Sequence, residues 1–338
     1  MRKATIVGPR QAAVVDAPEP RARENWAVVR VLAAPLCTEY KGFVAGHRAE
    51  RLGHEAAGEV VDAGTSSRVQ PGDRVVVMPQ YPCGRCELCL AGDYIHCQHL
   101  VDASAFTGSP EGTATLAQYL VKPDWLLLPL PAEVSWERGS MACCGLGPTF
   151  GALERMGVGA FDTVLITGLG PVGLGGVINA RYRGARVIGV EANAWRAERA
   201  RQLGAEAVVA PGPGAAQQVL DLTCGRGVDC ALDCAGEVAA HRLCIEATRR
   251  RGQVAFVGEC SAETPVRVSP DLIRKGLTLI GSWHYNLNGY RRVLQTIQAC
   301  GSQLDRLISH TFALEEVQQA WELQATGDCA KVVLRPWA

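Results

Sequence analysis

Four cysteines crowd the segment YPCGRCELCLAGDYIHCQ, residues 81–98: Cys83, Cys86, Cys89 and Cys97, spaced C-x2-C-x2-C-x7-C. Thiolates are soft ligands, and four of them on one Gly-containing loop suit a closed tetrahedral zinc site with no position left for a substrate. An iron–sulfur cluster can use similar spacing, and His96 and His99 stand near enough in sequence to substitute as ligands. Zinc held by the four thiolates is the preferred reading, and a closed site of this kind implies loop stability or a subunit contact, not catalysis. A second stretch, VLITGLGPVGLGGV (164–177), carries Gly168, Gly170 and Gly173 as G-x-G-x-x-G, with Pro171 and Val172 inside it. It follows a β-branched run and opens a helical pattern, the context in which such glycines let a pyrophosphate approach a helix N-terminus. Glu191 ends the next strand-like run, 18 residues after Gly173. It is placed to accept hydrogen bonds from the hydroxyls of an adenosine ribose and to repel a 2′-phosphate, which favours NAD over NADP. Arg196, a turn later, would either accommodate a 2′-phosphate or flank the adenosine. A third stretch, APLCTEYKG (34–42), puts Cys37 beside Thr38 and Glu39. A cysteine among short apolar residues is usually a small core side chain, and so, taken alone, is a histidine such as His54 in LGHEAAGE (52–59).

These residues need elements to hold them. Residues 1–130 hold short β-like runs broken by Gly and Pro: ATIVG, WAVVRVLAA, HEAAGEVVDAG, DRVVVMP, AQYLVKP and LLLPLP. They predict a mostly antiparallel, barrel-like β domain. From 147 to 282 the apolar runs TVLITG, ARVIGVE, DCALDCAG, GQVAFVG and LTLIGSW alternate with helical patterns. That alternation predicts an α/β domain with a doubly wound parallel sheet covered on both faces. The helical patterns include HRLCIEATRRRG, with Arg249–Arg251 as a solvated helix end. Residues 285–338 predict one or two helices and a closing strand, AKVVLRP. APGPGAA (210–216) is a loop, not a boundary.

The chain has 338 residues, 48% of them hydrophobic and 20% charged, with a formal net charge of zero. Two domains with a sizeable core are expected. Neutral charge argues against nucleic acid or an anionic membrane as partner. There is no apolar signal segment at the N-terminus and no window long enough to span a membrane, so a cytoplasmic location is expected. Fourteen cysteines in such a chain point to metal where they cluster and to core filling where they scatter.

Taken together, the cysteine lobe, the glycine fingerprint, GHE (53–55) and the GRGVD…D stretch (225–233) make the chain resemble the zinc-dependent medium-chain alcohol and polyol dehydrogenases, a group that includes sorbitol and threonine dehydrogenases. The resemblance covers essentially the whole chain. It implies a GroES-like catalytic domain built from residues 1–146 and 285–338, with a structural zinc lobe at 83–97, and an inserted Rossmann NAD domain at 147–284. It implies two zinc ions per chain, NAD, a small-molecule alcohol or ketone substrate, and a homodimer or homotetramer. Cys37 falls at the family's first catalytic zinc ligand and His54 at the second. The third falls within MACCGLG, at Cys144, with its neighbour Cys143 as the alternative. Glu55 matches a position behind the zinc. Where the family usually has Cys-Gly-Ser/Thr-Asp, this chain has Cys37-Thr38-Glu39. Either a glycine is missing, with Thr38 starting the proton relay and Glu39 orienting the ligating histidine, or Glu39 itself takes the relay position; Thr38 could also be only a helix N-cap. Trp283 and Tyr285 match a region lining the nicotinamide and substrate cleft, though core aromatics fit as well, and His284 is unassigned. Lys331 matches a basic position that meets the pyrophosphate in some relatives. The competing functional class is a catalytically silent NAD- or zinc-binding scaffold or sensor. The complete Cys37, His54, Cys144 set argues against it, and the altered CTE for it. A zinc-ribbon nucleic-acid binder fails on the neutral charge and the dinucleotide fingerprint.

Overall fold

The computed structural model describes residues 1–338. The chain divides into two compact units, Met1–Cys144 with Asn286–Ala338, and Gly145–Tyr285.

The second unit is a six-stranded sheet in the spatial order Ala207–Val209, Arg186–Val190, Thr163–Thr167, Val228–Asp233, Thr248–Phe256, Thr278–Gly281. Every neighbouring pair is parallel. Numbered within the unit, the order is 3-2-1-4-5-6, the doubly wound arrangement that opens a crevice where the order reverses, beyond the C-terminal ends of Thr163–Thr167 and Val228–Asp233. Both of those strands are buried throughout, which is why they are continuous apolar runs rather than alternating ones. Helices Pro171–Tyr182, Ala194–Gln202 and Val238–Ala247 follow the patterns expected, and Ala215–Leu222 adds a fourth behind the 210–214 loop.

The expected helix over 241–252 ends earlier. It stops at Ala247, and Arg249–Arg251 belong to the strand Thr248–Phe256. Arg249 is held there by Asp229, whose carboxylate takes the Arg249 Nε–H at 2.6 Å and the Thr163 N–H at 2.9 Å. Burial would raise the pKa of Asp229, but Arg226, the Thr163 N–H and Arg249 pull it down to about 2. Arg251 sits at φ 59°, where the strand departs from regular pairing.

In the first unit the ten-residue strand Trp26–Pro35 is central. It pairs antiparallel with Ala56–Asp62, Tyr119–Pro123 and Lys331–Arg335. Arg74–Val77 and Leu127–Pro129 extend the sheet on one side, and Ile308–Ala313 closes it on the other. Val29, Val31, Leu36, Phe43, Trp321 and Val332 form part of its core. The C-terminal part has three α-helices, Tyr290–Ala299, Gly301–Leu307 and Val317–Thr326, and the strand Ile308–Ala313 that sequence patterning did not signal. That strand is only half buried along its length, so it carries no clear alternation. No helix is long and apolar enough to cross a membrane.

Candidate metal centre and dinucleotide-binding loop

The central strand leads directly to Cys37. The Leu36 N–H donates to the Val332 carbonyl at 2.9 Å, fixing the chain at the point where the strand gives way to the helix Glu39–Ala45. Glu39 folds back over this corner. Its Oε2 accepts the Cys37 N–H at 2.8 Å, and its Oε1 lies 3.1 Å from His54 Nδ1. A carboxylate can only accept, so Nδ1 carries a hydrogen, and Nε2 is the nitrogen left to face the cysteines and to ligate a metal once it has lost its own proton. His54 follows Gly53, which adopts φ 88°; a Cβ there would come within 2.4 Å of Thr115 Oγ1 and 2.7 Å of Leu116 Cγ. His54 Nε2 lies 3.4 Å from Cys144 Sγ. Cys37, His54, Glu55 and Cys144 each bring one ligand atom to a group in which all lie within 4.8 Å of one another. Cys143 is outside it, fully buried, with its thiol 3.3 Å from the Val77 carbonyl oxygen.

Glu55 is completely buried, its Oε1 2.6 Å from Lys331 Nζ and its Oε2 accepting the Cys144 N–H at 3.1 Å. Burial pushes its carboxyl up to about 7, against the pull of Lys331. Burial would lower His54, but hydrogen bonds with Cys37 and Glu39 hold it up at about 11, so metal binding must displace the Nε2 proton. The hydrogen bond between the two thiols is the main reason Cys37 ionises well below its ordinary value and Cys144 well above it. The group therefore offers a thiolate, an imidazole nitrogen and a second thiol, a donor set that fits zinc. Thr38 is exposed and its hydroxyl caps no backbone N–H of the helix it precedes. If this group holds a catalytic metal, Glu39→Gln should cut turnover by roughly 10–100-fold, the size of a lost partner behind a metal ligand. Steady-state kinetics, with zinc measured in the same preparation, checks this.

The lobe cysteines Cys83, Cys86, Cys89 and Cys97 form a second group within the same 4.8 Å limit. Backbone N–H groups point at the sulfurs: Cys83 N to Cys97 Sγ at 3.2 Å, His99 N to Cys97 Sγ at 3.3 Å and Cys86 N to Cys83 Sγ at 3.4 Å. Such donors favour thiolates, and four thiolates fit a closed zinc site. His96 and His99 contribute no ligand atom to the group. Asn286 fastens the lobe's loop, donating to the Ala91 carbonyl at 2.7 Å and to Asp93 at 2.9 Å.

In the second unit, Gly168 turns the chain at φ 76° after Thr163–Thr167, and the helix begins at Pro171. A Cβ on Gly173 would lie 2.0 Å from the Gly168 oxygen, so close packing of loop on helix requires glycine there. Val172 lies in the helix's first turn. Glu191 Oε2 accepts the Leu169 N–H at 2.7 Å and its Oε1 the Asn193 N–H at 2.9 Å, which brings the acidic residue to the glycine turn. Arg196 Nη1 is 3.8 Å from where a Gly170 Cβ would be. A cavity of about 420 Å³ opens beside them, lined among others by Gly168, Glu191, Pro211, Ala235, Ala240 and Leu243.

One expectation needs correction, and one open alternative narrows. Lys331 has no exposed surface. It is committed to Glu55, and a lysine so enclosed cannot meet a pyrophosphate without first leaving a buried ion pair. Tyr285, which sequence leaves open as pocket wall or core aromatic, is 1% exposed and packs edge-on against Phe150 at 5.8 Å, as a core aromatic does. His284 stacks on it at 4.7 Å, while Trp283 remains 43% exposed. The one local signal of the Glu55–Lys331 pair is a lysine inside the apolar run AKVVL, which needs a buried partner.

A thiolate–imidazole group that could hold a metal in one unit and a glycine turn of the dinucleotide-binding kind in the other fit a metal-dependent, dinucleotide-linked enzyme. The model for the alcohol dehydrogenase GroES-like domain matches residues 23–132, and that for zinc-binding dehydrogenases matches residues 171–299. An uncharacterised zinc-type alcohol dehydrogenase-like protein of Escherichia coli, YphC, is 35% identical over 306 residues, 89% of this chain and 83% of its own. The L-idonate 5-dehydrogenase of Vitis vinifera is 32% identical over 296 residues, 84% of this chain and 78% of its own. The solved alcohol dehydrogenase TADH from Thermus sp. ATN1 superposes with a TM-score of 0.88 at 28% identity, covering 99% of each chain. The chain belongs to the zinc-dependent medium-chain alcohol dehydrogenase family. It is an NAD-linked oxidoreductase of small-molecule alcohols, with zinc and NAD as its cofactors.

Proposed function

We propose that the protein transfers hydride between NAD and a secondary alcohol of the polyol, sugar, cyclitol or amino alcohol class, in either direction. In this reading Cys37, His54 and Cys144 ligate the catalytic zinc and Cys83, Cys86, Cys89 and Cys97 a structural one. The unit containing both groups is the catalytic domain, and Gly145–Tyr285 the NAD domain. The observation that carries the reading is the meeting of Cys37, His54 Nε2 and Cys144, with Glu39 fastened to His54 Nδ1.

Bound at that group, zinc supplies a Lewis acid that acidifies an alcohol hydroxyl, and bound NAD supplies the hydride acceptor. Glu39 holds the His54 ring in the tautomer that leaves Nε2 free to ligate. Thr38 takes the alcohol proton on its exposed hydroxyl and releases its own to solvent. Lys331 offsets the negative charge gathered by Glu55 and the thiolates. The glycine turn and helix N-terminus hold the pyrophosphate, and Glu191 exchanges its backbone partners for the ribose hydroxyls. Relatives named for sorbitol and for L-idonate support the polyol and sugar part of the substrate range. We further propose a homodimer or homotetramer in the cytoplasm.

The test is a screen of NAD reduction by the zinc-replete protein over polyols, sugars, cyclitols, amino alcohols and simple secondary alcohols, repeated with NADP. Turnover of at least one polyhydroxylated alcohol, with NAD preferred, is the expected result. Turnover confined to simple alcohols would sink the substrate assignment, and no turnover of any alcohol would sink the function.

A further inference from the structure

A buried polar network that the hydride chemistry leaves unused lies at the C-terminal edge of the parallel sheet. Asp233 ends the strand Val228–Asp233 and is fully buried. Its Oδ1 accepts the Thr167 hydroxyl at 3.0 Å and the Ala235 N–H at 3.1 Å; its Oδ2 accepts the Gly236 N–H at 3.1 Å. The same Oδ2 lies 3.1 Å from His241 Nε2. The carboxylate can only accept, so Nε2 donates. The other ring nitrogen, Nδ1, lies 2.6 Å from the Thr264 hydroxyl. His241 itself is on the helix Val238–Ala247, is 6% exposed, and packs edge-on against Phe256 at 5.0 Å.

The Asp233 carboxylate gathers the ends of two neighbouring strands, and the His241 imidazole ties that carboxylate to the loop that follows a third. Thr167 immediately precedes the glycine turn. Ala235 and Gly236 form the turn after Asp233. Thr264 lies on the loop after Thr248–Phe256. The packing has no slack: a Cβ on Gly168 would be 2.7 Å from Ala235 Cα, and one on Gly258 would be 2.4 Å from the Gly236 nitrogen and 3.0 Å from Asp233 Oδ2. The same turn and helix contribute Ala235, Ala239, Ala240 and Leu243 to the 420 Å³ cavity. Ligands of doubly wound sheets bind beyond the carboxyl ends of the strands, where these loops lie.

We propose that His241 is a positioning residue for the dinucleotide. It holds the Thr264 loop and the Ala235–Gly236 turn in one fixed relation, so that a ligand spanning both meets a preformed groove. The proposal rests on the assignment of this unit to NAD. The cavity beside Glu191 has no lining from the Thr264 loop; on this proposal a mononucleotide needs only that cavity and the longer dinucleotide also meets the loop.

The test is titration of NADH and of AMP into the wild-type protein and the variants Thr264→Val, His241→Leu and His241→Gln, with circular dichroism and thermal melting in parallel. Thr264→Val removes only the arm to the loop. It should weaken NADH about fivefold to tenfold, the size of one hydrogen bond, with AMP unchanged. His241→Leu should weaken NADH at least as much. His241→Gln keeps an amide that can donate to Asp233 and accept from Thr264, and should recover most of the affinity. NADH affinity within a factor of two of wild type in both Thr264→Val and His241→Leu would overturn the proposal. So would a parallel loss of NADH and AMP in Thr264→Val, which is what a merely structural role would give. Wild-type protein that binds AMP but not NADH would overturn the cofactor assignment and the proposal with it.

Discussion

Cys37→Ala and His54→Ala should each lower kcat/KM for the alcohol by roughly 10³-fold or more, while NADH binding stays at the wild-type level. A Lewis-acid metal contributes several kcal/mol to stabilising developing charge on oxygen, and each 1.36 kcal/mol is a tenfold change in rate. A site that loses a thiolate or the imidazole loses the metal with it, so the whole contribution disappears together. The double variant should then be no worse than either single one, because ligands that act as a unit are not additive. NADH serves as the internal control because its glycine turn and Glu191 lie in the other structural unit. Steady-state kinetics on the substrate found by the screen, with NADH titration alongside, checks both parts. A single variant that kept a tenth of wild-type activity would contradict the ligand assignment.

Lys331→Met should destabilise the first unit by roughly 3–5 kcal/mol, the effect of removing one partner from a buried ion pair and leaving the other charge uncompensated. Both side chains are completely buried and 2.6 Å apart. Glu55 retains the Cys144 N–H, but one neutral donor does not replace an ammonium beside a buried carboxylate. The double variant Glu55→Gln with Lys331→Met should recover most of the loss. Its amide oxygen can still accept the Cys144 N–H, and replacing both charges is close to neutral where removing one is not. Urea unfolding followed by tryptophan fluorescence, to which five of the chain's seven tryptophans contribute from this unit, measures the difference. Equal destabilisation of the single and double variants would show that packing around Lys331, rather than its charge, sets the cost.

The glycine fingerprint and the lobe cysteines were legible because each is local. Gly168, Gly170 and Gly173 sit in one turn, and Cys83 to Cys97 in one loop, so spacing in sequence is close to spacing in space. The alternating strands and helices of the second unit were legible for the same reason. The run Arg249–Arg251 misled as to its element, since it lies in a strand and the Asp229 that holds Arg249 is on a neighbouring strand, while Arg250 and Arg251 are solvated as expected. The Cys37 group was legible only through family resemblance, since Cys37, His54 and Cys144 come from three separated segments. Between Thr38 and Glu39, sequence could not choose: one residue of slip at a helix start turns a side chain by about 100°. The fold gives Glu39 to His54 Nδ1 and leaves the Thr38 hydroxyl uncapped. Lys331 was misplaced because Glu55 stands 276 positions away, beyond the reach of any local pattern.

The central claim is that this chain holds two metal ions by different means, one on the lobe and one at the group that begins with Cys37. Metal analysis of protein purified without added chelator, wild type beside Cys37→Ala, tests it most directly. Two zinc ions per wild-type chain and one in the variant, with matching melting curves and NADH affinity, is the result the account predicts. One zinc in the wild type, or two retained in the variant, would contradict it.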